Sequence, residues 1–163
     1  MEAIMKEIQL TQGKVALVDD DMYEYLNQWK WSYGKSPTGE NAYRHTHNGR
    51  FYRSNIVMAR LIMKAPPDLE VDHIDHNALN NQKYNLRICT HAQNDRNSKI
   101  RNDNTSGYKG VSWRPDRKKW RANININMRQ LHLGYFDDPK SAAKAYNKAA
   151  LIHFGEFALL NKL

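Results

Sequence analysis

The sequence predicts an α+β protein made of three small units. With 163 residues the chain can hold one ordinary domain or two to three very small ones. Short stretches that alternate apolar and polar residues, typical of strands, recur along it with only a few helical patterns between them. Segment 102–106 has the composition of a linker. We therefore expect a β-rich N-terminal unit, a strand–loop–strand–helix motif and a C-terminal unit, over residues 1–66, 67–101 and 107–163.

The N-terminal unit is predicted to be a small sheet with two helices. Residues 4–18 alternate around Gly13, which predicts two strands and a turn, and a helix then begins at Asp19. Turn-forming residues, among them Asn48-Gly49, separate further predicted strands over 30–33, 42–47 and 51–53. Ser54 or Asn55 can cap a helix over 56–63, which Pro66-Pro67 ends.

Four aromatic residues of this unit, Tyr23, Trp29, Trp31 and Tyr33, are predicted to form its core. Amphipathic periodicity already accounts for their spacing, so a base-stacking platform is the weaker interpretation.

The middle unit is the most informative part of the sequence. The pattern predicts a strand over 69–73, an Asn-rich loop and a strand over 86–89. A helix is then predicted from His91 to about Lys99, with Thr90 as its N-terminal cap. An Asp72-His73 pair lies on the first strand. Hard oxygen donors suit Mg²⁺, and an imidazole, mostly neutral at pH 7, can deprotonate water. Since adjacent strand residues point to opposite faces, the pair must lie at a strand end or bend.

Three sequence features follow one another in this unit: Asp72-His73, Tyr84-Asn85-Leu86-Arg87, and the helix pattern Thr90-x-x-x-Asn94-x-x-Asn97. Together they resemble the HNH endonucleases with the ββα-metal fold, specifically the phage and intron homing branch. The resemblance implies hydrolysis of DNA phosphodiesters by water activated at a histidine, with one divalent ion on the scissile phosphate. The products would be 5′-phosphate and 3′-hydroxyl ends.

The resemblance also assigns residue roles. His73 matches the general base, Asp72 and Asn94 match the metal ligands, and Asn85 matches the asparagine that braces the histidine loop. Asn97, one helical turn past Asn94, could assist the metal or the phosphate. An amide oxygen at Asn94 favours one Mg²⁺ or Mn²⁺ over a transition metal.

Other polar residues of the motif are predicted to be structural. Asp75 and His76 are expected to be loop residues. Asn77, Asn80 and Asn81 are expected to make turn hydrogen bonds.

The C-terminal unit is predicted to hold three strands, 110–114, 120–127 and 130–135, and a helix over 141–153. Ala142, Ala145, Tyr146, Ala149 and Ile152 are expected to form the apolar stripe of this helix. The unit resembles an AP2 domain in residues 108–114, 119–124, 133–136, 142–150, 155–158 and Asn161. That family inserts a three-stranded sheet into the DNA major groove.

The candidate DNA-binding residues of this unit combine basic, amide and aromatic side chains, which suit phosphate and base-edge contacts. Trp120 is expected in the core instead. Positions that match the AP2 family's contact residues are Lys109, Ser112, Arg114, Asn123, Asn125, Gln130, His132 and Tyr146. The strand faces add Trp113 and Arg121.

The charge distribution agrees with a nucleic-acid partner. The net charge is +8, and residues 94–163 carry 14 Lys and Arg against 6 Asp and Glu. Residues 1–93 are balanced, with 11 of each sign. In this part, Arg44, Arg50 and Arg53 favour DNA contact, but a scaffold role for the N-terminal unit stays open.

Cysteine content and the pattern of apolar residues bear on the cellular location of the protein. Cys89 is the only cysteine, which excludes an intramolecular disulfide and a zinc site built on paired cysteines. The N-terminal residues do not resemble a signal peptide, and no apolar run is long enough to span a membrane. We expect a cytoplasmic, nucleoid-associated protein in a bacterial or phage-infected cell, a monomer or weak dimer that binds double-stranded DNA and no membrane.

Three functions compete at this point. An endonuclease explains the Asp72, His73 and Asn94 set, all of which are present. A DNA-binding regulator with an inactive HNH unit explains the charge but not the intact set. A structural or protein-interaction module explains only the charge.

Overall fold

The computed structural model describes residues 5–36, 39–48, 52–100 and 102–163. The chain forms two compact units, Met1–His91 and Ala92–Leu163. Several small antiparallel sheets combine with a few helices, which is compatible with the predicted α+β class. The finer division into three units with a linker stays a prediction.

The first unit contains seven strands and two helices among its described residues. The strands are β1 Met5–Gln9, β2 Val15–Asp19, β3 Ser32–Ser36, β4 Gly39–Asn48, β5 Tyr52–Val57, β6 Glu70–His73 and β7 Leu86–Cys89. The helices are α1 Asp20–Leu26 and α2 Met58–Met63. The strands pair as a β1–β2 hairpin, a β3–β4–β5 sheet and a β6–β7 hairpin, all antiparallel.

One hydrophobic core joins these elements. Trp31 is 2% exposed, and its indole Nε1 donates a hydrogen bond to the Leu26 carbonyl at 2.8 Å. Tyr33 is also buried, and Tyr23 and Trp29 pack against the same cluster. The prediction that the four aromatic residues form the core is therefore confirmed.

The predicted start of the second helix is wrong. Ser54 and Asn55 do not cap a helix, because they lie in β5 and pair with Thr46 and His45 of β4. The helix begins only at Met58, with no side-chain cap. The predicted turn at residues 48–49 and Arg50 extend outside the described residues, and so does the side chain of Arg53.

The second unit contains a three-stranded sheet and a long helix. Helix α3, His91–Asn97, begins at the boundary between the units. The strands β8 Val111–Arg114, β9 Lys119–Ile126 and β10 Arg129–Phe136 form an antiparallel sheet in the order β10–β9–β8. These strands lie within two residues of the predicted ones.

Helix α4, Pro139–Phe154, packs its small residues on one face of this sheet. Ala142, Ala143 and Ala150 are 0% exposed, and this close packing needs their small side chains. Asp138 caps the helix by accepting a hydrogen bond from the Ser141 amide at 2.8 Å. Trp120 packs against this core, as predicted.

The predicted stripe of α4 is wrong at Ile152, which is 70% exposed. Phe154 fills the last buried position of the helix instead. Across the described residues, no helix is both long and apolar enough for a membrane span.

Candidate active site and nucleic-acid interface

Asp72 and His73 are the last two residues of β6. The pair therefore lies at a strand end, as strand alternation requires. Directly opposite on β7 are Arg87, facing Asp72, and Leu86, facing His73. Because neighbouring strand residues point to opposite faces, the two candidate side chains make different contacts within the first unit.

The Asp72 carboxylate is buried and paired with Arg87. Its Oδ2 accepts hydrogen bonds from Arg87 Nε at 2.9 Å and from Nη2 at 2.6 Å, and Asp72 is 6% exposed. A buried carboxylate is costly without such a partner, so the Arg87 guanidinium stabilises Asp72 electrostatically. The pairing register of the β6–β7 hairpin places Asp72 directly opposite Arg87.

His73 is half-buried, and its Nε2 lies 3.3 Å from the Oδ1 of Asn81. Burial lowers the pKa of His73 below its usual value, although Asn81, Asp75 and Asp72 act in the opposite direction. The imidazole is therefore mostly neutral at pH 7, which is the form that can accept a proton.

Asn85 ties together the loop that follows His73. Its Nδ2 donates to Asp75 Oδ1 at 2.9 Å and to the Asn80 carbonyl at 2.8 Å, while its Oδ1 accepts from the Asp75 amide at 3.0 Å. Asn85 is 2% exposed. The side chain contacts the loop on both sides, and its part in catalysis stays a prediction.

Asp75 is the centre of the hydrogen bonds in this loop. Burial raises the pKa of Asp75. Hydrogen bonds from the Asn77 amide, Asn80 and Asn85 have the opposite and larger effect, so the pKa of Asp75 lies below its usual value. Asn77 also accepts a bond from the Leu79 amide. The predicted turn hydrogen bonds of Asn77 and Asn80 are confirmed. The same prediction for Asn81 is wrong, because its side chain faces His73 instead.

Asn94 and Asn97 lie on α3 and are counted with the second unit. Asn97 is 5% exposed, and Asn94 is half-buried. Their roles beside Asp72 stay predictions.

The donor chemistry fits a hard divalent cation. The described residues include no group of three or more His, Cys, Asp or Glu side chains placed to hold a metal. Mg²⁺ usually keeps several waters and takes only one or two carboxylates from the protein. Within the first unit, the Asp72 carboxylate matches that requirement, and its pair with Arg87 is the feature that an ion there must accommodate.

The sheet of the second unit presents a polar face away from α4. Register places Ser112 opposite Arg121, Asn123 opposite His132, and Asn125 opposite Gln130. Residues that pair directly share a face of the sheet. The structure thus brings together seven candidate DNA-binding residues, which we call the polar sheet face: Ser112, Arg114, Arg121, Asn123, Asn125, Gln130 and His132.

The polar sheet face also includes two residues, Lys119 and Tyr135, that the sequence analysis did not predict as DNA contacts. Lys119 lies opposite Arg114, and Tyr135 lies opposite Arg121. Arg117 stacks 4.7 Å from the Tyr135 ring centroid. Alternation along β9 could have found Lys119, because it precedes Arg121 by two residues.

Trp113 and Lys109 make other contacts. Trp113 lies on the face that carries Val111, edge-to-face with Trp120 at 5.2 Å between ring centroids. The Nζ of Lys109 donates to the carbonyls of Arg96 and Ser98 at 2.8 and 2.7 Å, at the end of α3. Burial lowers the pKa of Lys109 to about 8. Both residues are apart from the polar sheet face.

Tyr146 is corrected from a contact residue to a core residue. It is 4% exposed, and burial raises its pKa to about 12. Its ring packs so closely on Gly110, where φ is +74°, that a Cβ there would lie 2.1 Å from the ring. A buried ring on the α4 side of the sheet cannot contact DNA.

Comparison with known proteins decides the family. The profile of the HNH endonuclease family matches residues 45–96. An uncharacterized HNH endonuclease of Acanthamoeba polyphaga mimivirus is 32% identical over 154 residues, which cover 93% of this chain and 77% of that protein. The chain belongs to the HNH endonuclease family.

Two further relatives of this HNH endonuclease family member match only part of its sequence. Protein 3.8 of Escherichia phage T7 is 36% identical over 93 residues, 57% of this chain and 76% of that protein. An AP2-like ethylene-responsive transcription factor of Arabidopsis thaliana is 39% identical over 57 residues, 35% of this chain and 13% of that protein. No solved structure gives a significant match. Membership of the HNH endonuclease family indicates nuclease activity on DNA.

Proposed function

We propose that this chain is a metal-dependent DNA endonuclease of the phage and intron homing type, which hydrolyses phosphodiesters in duplex DNA with His73 as the general base. The observation that carries the proposal is the placement of His73. It ends β6, its ring is held next to Asn81, and burial lowers its pKa so that the base form prevails at pH 7. Family membership supports the nuclease class.

The residues divide the chemistry between them. His73 takes a proton from the attacking water, and Asn85 braces the loop through its contacts with Asp75 and Asn80. Asp72 and Asn94 would hold one Mg²⁺ or Mn²⁺, with Asn97 assisting. When bound, such an ion stabilises the charge that develops on the phosphate and on the departing 3′-oxygen. The resulting ends are 5′-phosphate and 3′-hydroxyl.

The second unit is proposed to bind double-stranded DNA as an AP2-like module. Support comes from the polar sheet face, which combines arginines for phosphate contacts with amides that suit base edges. On this face Arg121 Nε, Asn123 Oδ1 and Ser112 Oγ are buried without a hydrogen-bond partner among the described residues. Unpaired buried polar atoms are costly, which favours a polar ligand here. With one active site per chain, a monomer would nick and a dimer could cut both strands.

A regulator with an inactive HNH unit is the second candidate. One observation favours it, since the Arg87 guanidinium already neutralises Asp72. A carboxylate that must release a buried arginine binds a cation less readily.

The test is incubation of supercoiled plasmid with the full chain, scored as nicked or linear product. We expect no cleavage in EDTA, cleavage in Mg²⁺ or Mn²⁺, and recovery when Mg²⁺ is added back in excess. Plasmid that stays supercoiled in every metal, while the chain still binds duplex DNA, would establish the regulator instead. Cleavage that is undiminished in EDTA would contradict the metal-dependent mechanism.

A further inference from the structure

The loop after His73 is held by the N-terminal β-hairpin. The Leu17 amide of β2 donates to the Leu79 carbonyl at 2.8 Å, and the Asn81 amide donates to the Leu17 carbonyl at 2.7 Å. Through these two bonds the loop pairs with β2 in a short parallel bridge, in which Asn80 lies opposite Leu17. The hairpin therefore fixes the backbone of the loop that faces the histidine.

Asp19, at the end of β2, fixes the next residues. Its Oδ2 accepts a hydrogen bond from the Lys83 amide at 2.7 Å, and its Oδ1 accepts from Gln82 Nε2 at 3.4 Å. Asp19 and Gln82 are 8% and 6% exposed. The backbone on both sides of Asn81 is thus set by a segment more than 60 residues away in the chain.

Asn81 is the most buried polar residue of the loop, at 1% exposed. Its Oδ1 lies 3.3 Å from His73 Nε2, whereas its Nδ2 is buried and makes no hydrogen bond within the described residues. An unpaired buried amide group destabilises the folded chain. A hydrophobic residue would remove that cost, so stability alone does not explain asparagine here.

We propose that Asn81 is a positioning residue for the reaction: its Oδ1 accepts a hydrogen bond from His73 Nε2–H. The inference rests on the proposed role of His73. A neutral imidazole carries one proton, and the nitrogen opposite the donor is the acceptor. Asn81 therefore selects the tautomer in which Nδ1 receives the proton of the attacking water, and it fixes the plane of the ring.

Asn81→Leu tests this assignment, because leucine has the same branched arrangement of heavy atoms and cannot accept a hydrogen bond. Asn77→Ala is the matched control, since Asn77 is exposed in the same loop and its side chain accepts a hydrogen bond from the Leu79 amide within the turn. Three quantities are compared in the full chain: the ¹⁵N shifts of the neutral His73 ring, assigned by their loss in His73→Gln, the thermal midpoint, and the single-turnover cleavage rate in Mg²⁺.

The parent and Asn77→Ala are expected to show the Nε2–H tautomer, and Asn81→Leu a mixture of both tautomers. Cleavage by Asn81→Leu should fall about 10- to 100-fold, within the contribution of a positioned general base. Its thermal midpoint should equal or exceed that of the parent, because an unpaired buried group has been removed. Its affinity for duplex DNA should equal that of the parent, because Asn81 is buried and the substitution removes no phosphate contact.

Three results would overturn the proposal. They are an Nδ1–H tautomer in the parent, parental cleavage by Asn81→Leu, or a loss of cleavage that only follows a lowered thermal midpoint. A parent that cleaves no DNA would refute the nuclease function instead, and the ring shifts would still decide whether Asn81 sets the tautomer.

Discussion

His73→Ala is expected to lower the single-turnover rate of DNA cleavage by about 10²–10⁴-fold, the usual contribution of a general base. The rate falls because no other group takes the proton of the attacking water at that position. Affinity for duplex DNA should be unchanged, since phosphate contacts dominate affinity and the substitution removes none of them. Rapid-mixing cleavage of a labelled duplex, with a parallel binding titration, measures both.

His153→Ala is the matched control, because His153 is exposed near the end of α4 and lies outside both candidate sites. It should cleave at the parental rate. If His73→Ala cleaves as fast as the control, His73 is not the base. If it loses DNA binding in proportion to cleavage, the histidine acts in binding and not in proton transfer.

The second large effect is expected at the polar sheet face. Replacing Arg114, Lys119 and Arg121 together by glutamine removes three cations from one face of the sheet. Each cation that contacts a phosphate contributes about 0.9 to the slope of log affinity against log salt concentration, so the slope should fall by about 2 to 3. Arg114 and Lys119 must leave their ion pairs with Asp116 and Asp137 to contribute fully.

The control carries the same change of charge on the other side of the sheet. Lys140, Lys144 and Lys148 are exposed on α4, which packs against the opposite face. Their triple glutamine variant should keep the parental salt slope. If both triple variants lower the salt slope equally, net charge alone governs binding, and the polar sheet face has no special role.

The middle of the chain shows what local sequence patterns can predict. Strand alternation and the Asn-rich loop correctly predicted that Asp72 and His73 lie at a strand end and that Asn77 and Asn80 make turn hydrogen bonds. Such features depend only on neighbouring residues. The strands of the second unit were predictable for the same reason, since their period of two is intrinsic to the backbone.

Contacts between distant segments were not predictable. Nothing near Asn81 in the sequence indicates that β2 binds its backbone, or that Asp19 accepts a bond from the Lys83 amide. The start of α2 was misjudged because pairing with β4 holds Ser54 in a strand and overrides its preference for a helix cap.

The resemblance to the AP2 family also had limits that packing explains. Tyr146 matches a contact position by alignment, yet the close approach of Gly110 holds its ring in the core. Lys109 looks like a phosphate contact in sequence, but its ammonium group is bound by two carbonyls at the end of α3. Its contact with DNA stays a prediction.

The proposed cleavage mechanism depends most on Asp72 and Asn94 binding the same metal ion. Electron paramagnetic resonance of Mn²⁺, titrated into the full chain with an uncleavable duplex, counts the ions bound per chain. We predict one ion in the parent and a greatly weakened site in both Asp72→Asn and Asn94→Ala. The thermal midpoint of Asn94→Ala should stay close to that of the parent, whereas that of Asp72→Asn should fall, because the buried Arg87 guanidinium loses its carboxylate partner. A site that survives intact in either variant would contradict the shared ion and the mechanism built on it.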